Sequence, residues 1–167
     1  MEFKSISPKE LSDNVFKLLS EDWALLTVKD GEKVNPMTVG WGGFGVMWGK
    51  SVAYAVVRPE RYTHDLLDRQ DGFSLTFFDE SYKKQLGICG RTSGRDTDKV
   101  SDCGFNVLLE GDVPYFEEAR IAVICKKLYA TDFKREDFLC DDAMIDKWYG
   151  GGFHTLYIAE IEKVLVK

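Results

Sequence analysis

Apolar residues recur at two periods along this chain, and the periods locate its elements. Leu11, Val15, Leu18 and Leu19 stand at i, i+4, i+7 and i+8, the spacing of one helical face. Ser7 and Glu10 have capping-box spacing and Pro8 suits the first helical position, so a helix is predicted over 7–20. Strand signals follow at once. Residues 23–28 form a short apolar, β-branched run, Asp30-Gly31 marks a turn, and a second strand starts near Lys33 and runs through KVNPMTVGW. The Gly-rich GWGGFG and the aromatic turn VMWGK then lead to a strand over 51–57.

The second half is read in the same way. Arg58-Pro59-Glu60-Arg61 opens a helix running to Arg69 with Leu66 and Leu67 inward, and Asp71-Gly72 ends it before a strand over 73–78. A helix is expected over 80–90. Ser93 and Asp96 have capping-box spacing, which predicts a loop leading into a short helix. Strands are expected over 105–109 and, after Pro114 to Phe116, over 119–131; a polar helix over 136–147 and a closing strand from 154 complete the chain. About seven or eight strands with short helices between them, and no regular β-α-β alternation, predict a closed or nearly closed antiparallel barrel. The fold class is thus mainly β with peripheral helices. With no internal repeat, low-complexity tract or linker, residues 1–167 read as a single domain.

Charge and composition narrow the function. There are 22 Lys and Arg against 28 Asp and Glu, a net charge of −6 spread along the chain, which argues against a nucleic-acid partner. A hydrophobic share of 44% excludes a disordered chain. The N-terminus is charged and no stretch approaches the roughly 18 apolar residues of a membrane span. Cys89, Cys103, Cys125 and Cys140 are widely spaced, without metal-ligand spacing, and read as reduced thiols, some of them buried. A cytoplasmic protein with no metal and no membrane partner is expected.

Glycines and aromatics concentrate in the same segments, and those segments carry the candidate chemistry. Gly40-x-Gly42-x-x-Gly45 matches the dinucleotide fingerprint letter for letter, but a β-rich run follows it instead of a helix, and Glu60, at the ribose position, precedes a helix. The glycines read instead as bare backbone at a hairpin, open to a flat ligand. Arg58, Arg61 and Thr63 lie at a strand-to-helix junction. They make either a phosphate cradle or two solvated arginines beside a helix start. The run from Cys89 to Lys99 offers an anion-binding nest, or a mobile polar loop before a capped helix. Trp148 to His154 places three glycines among aromatics, as a wall beside a flat ligand or as a plain connection. His154 is one of only two histidines. No Ser-His-Asp series, acid pair or metal cluster supports a hydrolytic reading.

Taken together and in this order, NPMTVGWGGFGVMWGK (35–50), VVRPERYTHDLL (56–67), SGRDTDK (93–99) and HTLYIAEI (154–161) resemble the flavin reductase-like family, over nearly the whole chain from Trp23 to Ile161. The resemblance implies an antiparallel FMN-binding split β-barrel and a homodimer with FMN at the interface. It implies main-chain contacts to the isoalloxazine and ribityl groups from Met37, Thr38, Val39, Gly40 and Trp41. It puts Arg58, Arg61 and Thr63 near the phosphate, and it makes Cys89, Gly90, Ser93, Gly94 and Lys99 a loop closing over the flavin. His154 borders the nicotinamide side and is the one catalytic candidate. The implied activity is hydride transfer from NADH or NADPH to flavin, with electrons passed to free flavin, a ferric complex or a redox protein. A flavoredoxin-like FMN carrier, and a split-barrel module for another ligand such as haem or pyridoxal phosphate, are the alternatives. Hydride chemistry resides in the cofactors, which accounts for the missing acid–base pair.

Overall fold

The computed structural model describes residues 2–167. Ten strands form among the described residues: β1 Lys4–Ile6, β2 Ala24–Asp30, β3 Lys33–Val39, β4 Gly42–Met47, β5 Lys50–Val57, β6 Gly72–Phe77, β7 Val107–Glu110, β8 Val113–Phe116, β9 Ile121–Asp132 and β10 Thr155–Val166. The helices are α1 Val15–Lys17, α2 Tyr62–Arg69, α3 Lys83–Arg91, α4 Lys99–Cys103 and α5 Asp142–Trp148. The main sheet runs β3-β2-β6-β9-β10-β5-β4 with every pairing antiparallel. β1 is added on β10, and β7 with β8 makes a separate hairpin.

The sheet is curled. Met37 and Val39 of β3, at one end of the path, share a single core with Ala53, Ala55 and Val57 of β5, near the other end. Leu26, Phe73, Phe77, Val123 and Tyr157 fill the space between them. A flat sheet could not bring its two ends into one core. Yet β3 and β4, separated by Gly40 and Trp41 alone, do not pair. The barrel is therefore split at this seam, and the candidate site lies there.

Several sequence expectations are met and several are corrected. The fingerprint glycines enter strand β4 and not a helix, as their β-rich sequel predicts. The backbone is open at Gly45, where a Cβ would meet nothing within 4 Å, and Gly40 lines the first cavity described below, but Gly42 and its neighbour Gly43 are covered. A Cβ on Gly42 would fall 2.2 Å from the Tyr54 carbonyl oxygen and one on Gly43 2.4 Å from the Tyr54 hydroxyl. The space belongs to Tyr54 of the paired strand. The hairpin turns at Trp48-Gly49, both in the left-handed region (φ 52° and 72°), the geometry that matches the twist of its strands.

The helix expected over 7–20 is broken. Its capping box at Ser7 and Glu10 is formed but opens only a short turn, Pro8–Glu10. Asn14 then starts α1 afresh, its side-chain oxygen accepting from the N–H groups of Phe16 and Lys17. A wide turn, Leu18–Asp22, follows and buries Leu18 and Leu19 as the pattern requires. Arg120 holds Asp13 and Asp22 at 2.7 and 2.9 Å, fixing this segment at two points. Strand β1 has no counterpart in the sequence reading. Asp98, not Ser93, caps α4, accepting from Val100 and Ser101 N–H. Ser93 instead closes a turn with Arg95, Asp96 and Thr97.

Candidate functional site

Two adjoining cavities open at the seam. The first, about 220 Å³, is lined by Met37, Thr38, Val39, Gly40 and Trp41 from the end of β3, by Val56 and Arg58 from β5, and by Arg61 and His154. The second, about 170 Å³, lies between the start of α2 (Glu60 to Thr63) and the loop from Arg91 to Gly94, with Lys99 beside them. Arg61 lines both. The four sequence segments singled out above thus converge, although Cys89 and Gly90 line neither cavity. They stand behind it and present their carbonyl groups to its cations.

One side of the site is cationic. Lys99 is only 3% exposed and donates to the carbonyl oxygens of Pro36 and Cys89, both at 3.0 Å. Arg61 donates to the carbonyl oxygen of Gly90 at 3.1 Å. Among the described residues neither cation has a carboxylate within salt-bridge distance. Burial draws the Lys99 ammonium down to about 8, with the Arg61 charge adding to the effect. Burial also lowers the Arg61 guanidinium. No carboxylate offsets the burial of Lys99, and the Glu60 charge offsets that of Arg61 only in part.

No side chain caps the start of α2, whose residues Tyr62 and Thr63 line the second cavity. The Thr63 hydroxyl, buried, accepts from the Asn35 amide at 2.8 Å, so its side chain is occupied within the protein. The other end of that amide, Asn35 Oδ1, is buried with no partner. Gly94 passes directly over it: a Cβ there would lie 1.8 Å from Asn35 Oδ1. Only a glycine lets the loop close on β3 at this point.

The other side is aromatic. Arg58 turns away from Arg61 and donates to the Trp148 carbonyl oxygen at 2.7 Å, with its guanidinium 5.5 Å from the centre of the Tyr149 ring. Trp41 meets Trp148 edge to face at 5.0 Å and lies 5.2 Å from the His154 ring. His154 Nδ1 is 3.0 Å from the Tyr149 hydroxyl. Burial, then the Arg58 charge, lowers its pKa to about 4, so the ring is neutral at pH 7. Burial raises the Tyr149 phenol.

Sequence reasoning missed Val56 and Asn35. Val56 had a signal: it alternates with the core residues Ala55 and Val57 and so must face outward, toward the seam. The Cys89 side chain, by contrast, is turned into the protein. Its thiol is pushed up to about 12 by burial and lies 3.7 Å from that of Cys103. The arrangement suits a ligand with a flat ring at one end and an anion at the other.

Comparison with known proteins agrees with this fold. Flavoredoxin from Methanosarcina acetivorans superposes with a TM-score of 0.71 at 20% identity, over 97% of this chain and 76% of that one. An FMN-binding protein from Thermus thermophilus, with bound p-hydroxybenzaldehyde, gives 0.71 at 22% identity over 98% and 82%. The Streptomyces globisporus C-1027 NADH:FAD oxidoreductase, in complex with NAD and FAD fragments, gives 0.64 at 15% identity over 87% and 74%. At these identities the likeness is one of fold. Among curated proteins no sequence matches. The sequence pattern of the flavin reductase like domain does match, over residues 17–167, and the chain belongs to the flavin reductase-like family.

Proposed function

We propose that the seam binds FMN, phosphate against Arg61, Lys99 and the start of α2, and ring against the end of β3 and Trp41. The observation that carries this reading is a buried lysine, Lys99, beside a half-buried arginine, Arg61, neither within salt-bridge distance of a carboxylate among the described residues and both bonded to main-chain carbonyls. A dianionic phosphate supplies the missing charge and accepts from the free N–H groups of the helix start.

Bound there, FMN would supply the hydride-accepting redox chemistry, with NADH or NADPH as the donor. The chain's own residues bind, orient and shield. Backbone from Met37 to Trp41 positions the ring, Lys99 and Arg61 balance negative charge, and Trp41, Trp148 and Tyr149 exclude water on the nicotinamide side. His154 is a neutral hydrogen-bonding group there, adding no third positive charge beside Arg58. The protein is in this reading a cytoplasmic NAD(P)H-dependent flavin reductase, passing electrons to free flavin, a ferric complex or a protein acceptor.

A second copy of the chain completes the site. Cavities of about 220 and 170 Å³ are each smaller than the roughly 300–1,000 Å³ that encloses a ligand of this size. Trp41, which lines the first cavity, and Trp148, packed against it, are exposed, as a covered interface requires.

The test is anaerobic addition of NADH and of NADPH to the FMN-loaded protein. Bleaching near about 450 nm within minutes with either is the expected result. Retention of FMN without bleaching by either leaves an FMN electron carrier and removes the reductase. A colourless protein that titrates with no change in flavin fluorescence removes FMN itself.

A further inference from the structure

The loop that carries the cationic side of the site has a thiol at each end. Cys89 lies in the last turns of α3 and Cys103 closes α4, and their sulfur atoms are 3.7 Å apart. Thr92, Ser93, Gly94 and Lys99, all of which line the second cavity, lie between them in sequence. We propose that Cys89 and Cys103 are a peroxide-responsive dithiol, whose oxidation to a disulfide ties together the two ends of the anion-binding loop. The inference concerns thiols behind the site and holds whichever ligand the site takes.

Three observations carry it. The two helices pack on each other, and both thiols belong to one apolar cluster with Leu25, Phe78 and Phe105, so the pair is held together by the core and not by chance approach of mobile loops. The closure required is small: about 1.7 Å, to reach the roughly 2.05 Å of a disulfide bond. Cys103 is the last residue of its helix, followed by Gly104 in the left-handed region, so the moving end is a helix terminus. The remaining thiols lack such a partner. Cys125 is fully buried on β9 with its sulfur toward the Val123 carbonyl, and Cys140 is exposed on a different segment.

Exposure sets the order of events. Cys103 is partly exposed while Cys89 is buried, so Cys103 meets the oxidant. Its thiolate attacks one peroxide oxygen, the O–O bond breaks, and a sulfenic acid and one water form. The Cys89 sulfur then attacks the sulfenic sulfur, the S–O bond breaks, and the hydroxyl leaves as a second water with the Cys89 proton. Two thiols and one hydrogen peroxide give one disulfide and two waters; a dithiol reverses it. Because burial keeps both thiols protonated at neutral pH, the reaction is slower at pH 7 than at about pH 9.

The experiment treats the full chain with hydrogen peroxide, blocks residual thiols with N-ethylmaleimide in denaturant, and maps non-reduced peptides by mass spectrometry. The expected product is a peptide pair joined through Cys89 and Cys103, lighter by about 2 Da than the two thiol peptides and lost on reduction with dithiothreitol. Cys125 remains blockable. Over-oxidation of Cys103 to the sulfinic acid with Cys89 still free overturns the proposal, and so does oxidation confined to Cys140. In Cys103→Ser, at the partly exposed helix end, Cys89 is expected to stay reduced; its oxidation in that variant overturns the assigned order. These readouts need no flavin, so their failure is separable from failure of the FMN reading.

Discussion

The two sides of the seam are built from opposite kinds of interaction. On the cationic side, buried Lys99 and half-buried Arg61 donate to main-chain carbonyls and have no carboxylate within salt-bridge distance among the described residues. On the aromatic side, Arg58, only three residues before Arg61, is satisfied by a carbonyl, a π face and Glu60 3.8 Å away. One side is incomplete without an anion, and the other is complete as it stands. The difference separates binding from shaping: the first region is expected to set affinity, the second to set which molecules approach the ring.

The sharpest way to break this division is Arg61→Ala. A charge-assisted hydrogen bond contributes about 1.5–3 kcal/mol, so affinity for FMN should fall roughly 10- to 100-fold. Riboflavin, which has no phosphate, should lose less than about threefold if the region acts through charge. Equal losses in fluorescence titrations of the two ligands would remove the phosphate role. Lys99 gives a second, pH-dependent handle. Its pKa is lowered in the folded chain to about 8, so between about 8 and 10.5 the unfolded chain holds more protons and stability of the ligand-free protein rises with pH. FMN affinity has the opposite slope, falling as Lys99 loses its proton. Denaturant melts and FMN titrations from pH 7 to 10 should therefore diverge. Parallel trends would show that Lys99 does not face the phosphate.

How much of this was legible in the sequence follows the same division. The aromatic wall could be read because Trp148, Tyr149 and His154 are neighbours in the chain, between the end of α5 and the start of β10. The cationic side could be read only in outline. Arg58 and Arg61 look equivalent in sequence, but a turn closed by Arg61 N–H on the Arg58 carbonyl oxygen sends them to different sides. Asn35 was missed because a polar residue in an alternating strand ordinarily faces water. Here α2 and the Gly94 loop cover that position, which no local pattern records. The helix over 7–20 failed for a related reason. Its period was right, but Asn14 offers a local cap, and Asp13 and Asp22 are held by Arg120, about a hundred residues away.

A smaller effect tests the aromatic side. Because the His154 pKa is lowered to about 4, below the ordinary 6.5, the unfolded chain takes up more protons over that window. Stability conferred by the neutral ring is fully present above about pH 6.5 and is lost as pH falls through 4, by about 1–3 kcal/mol in all. In Arg58→Ala the nearby positive charge disappears, so the midpoint of this loss should move upward, toward 6.5. The same variant frees the Trp148 carbonyl and should raise hydrogen exchange from 148 to 153. FMN affinity should change less than threefold, about 0.6 kcal/mol. A loss as large as that of Arg61→Ala would mean that the two arginines share one role and that the division is wrong.

The smallest expected effect is that of Tyr149→Phe, which changes one oxygen atom. The Tyr149 phenol, raised by burial, keeps its proton at neutral pH and lies 3.0 Å from His154 Nδ1, to which it is expected to donate. With Nδ1 accepting, the ring proton must sit on Nε2, so the hydroxyl selects the tautomer as well as the ring orientation. Removing it leaves the ring packed against Trp41 but lets both tautomers form. The bond contributes about 0.5–1.5 kcal/mol, so stability should fall only slightly. FMN binding, set on the other side of the seam, should not change. The rate of flavin reduction by NADH or NADPH in stopped flow should fall a few-fold, with the loss in the rate constant if the tautomer matters during hydride transfer and in half-saturation if the ring only shapes the approach. Histidine nitrogen shifts read by NMR give the tautomer directly: one dominant form in the parent and a mixture in Tyr149→Phe. A mixture in both would mean that the phenol accepts as readily as it donates, and that the aromatic side shapes the site by packing alone.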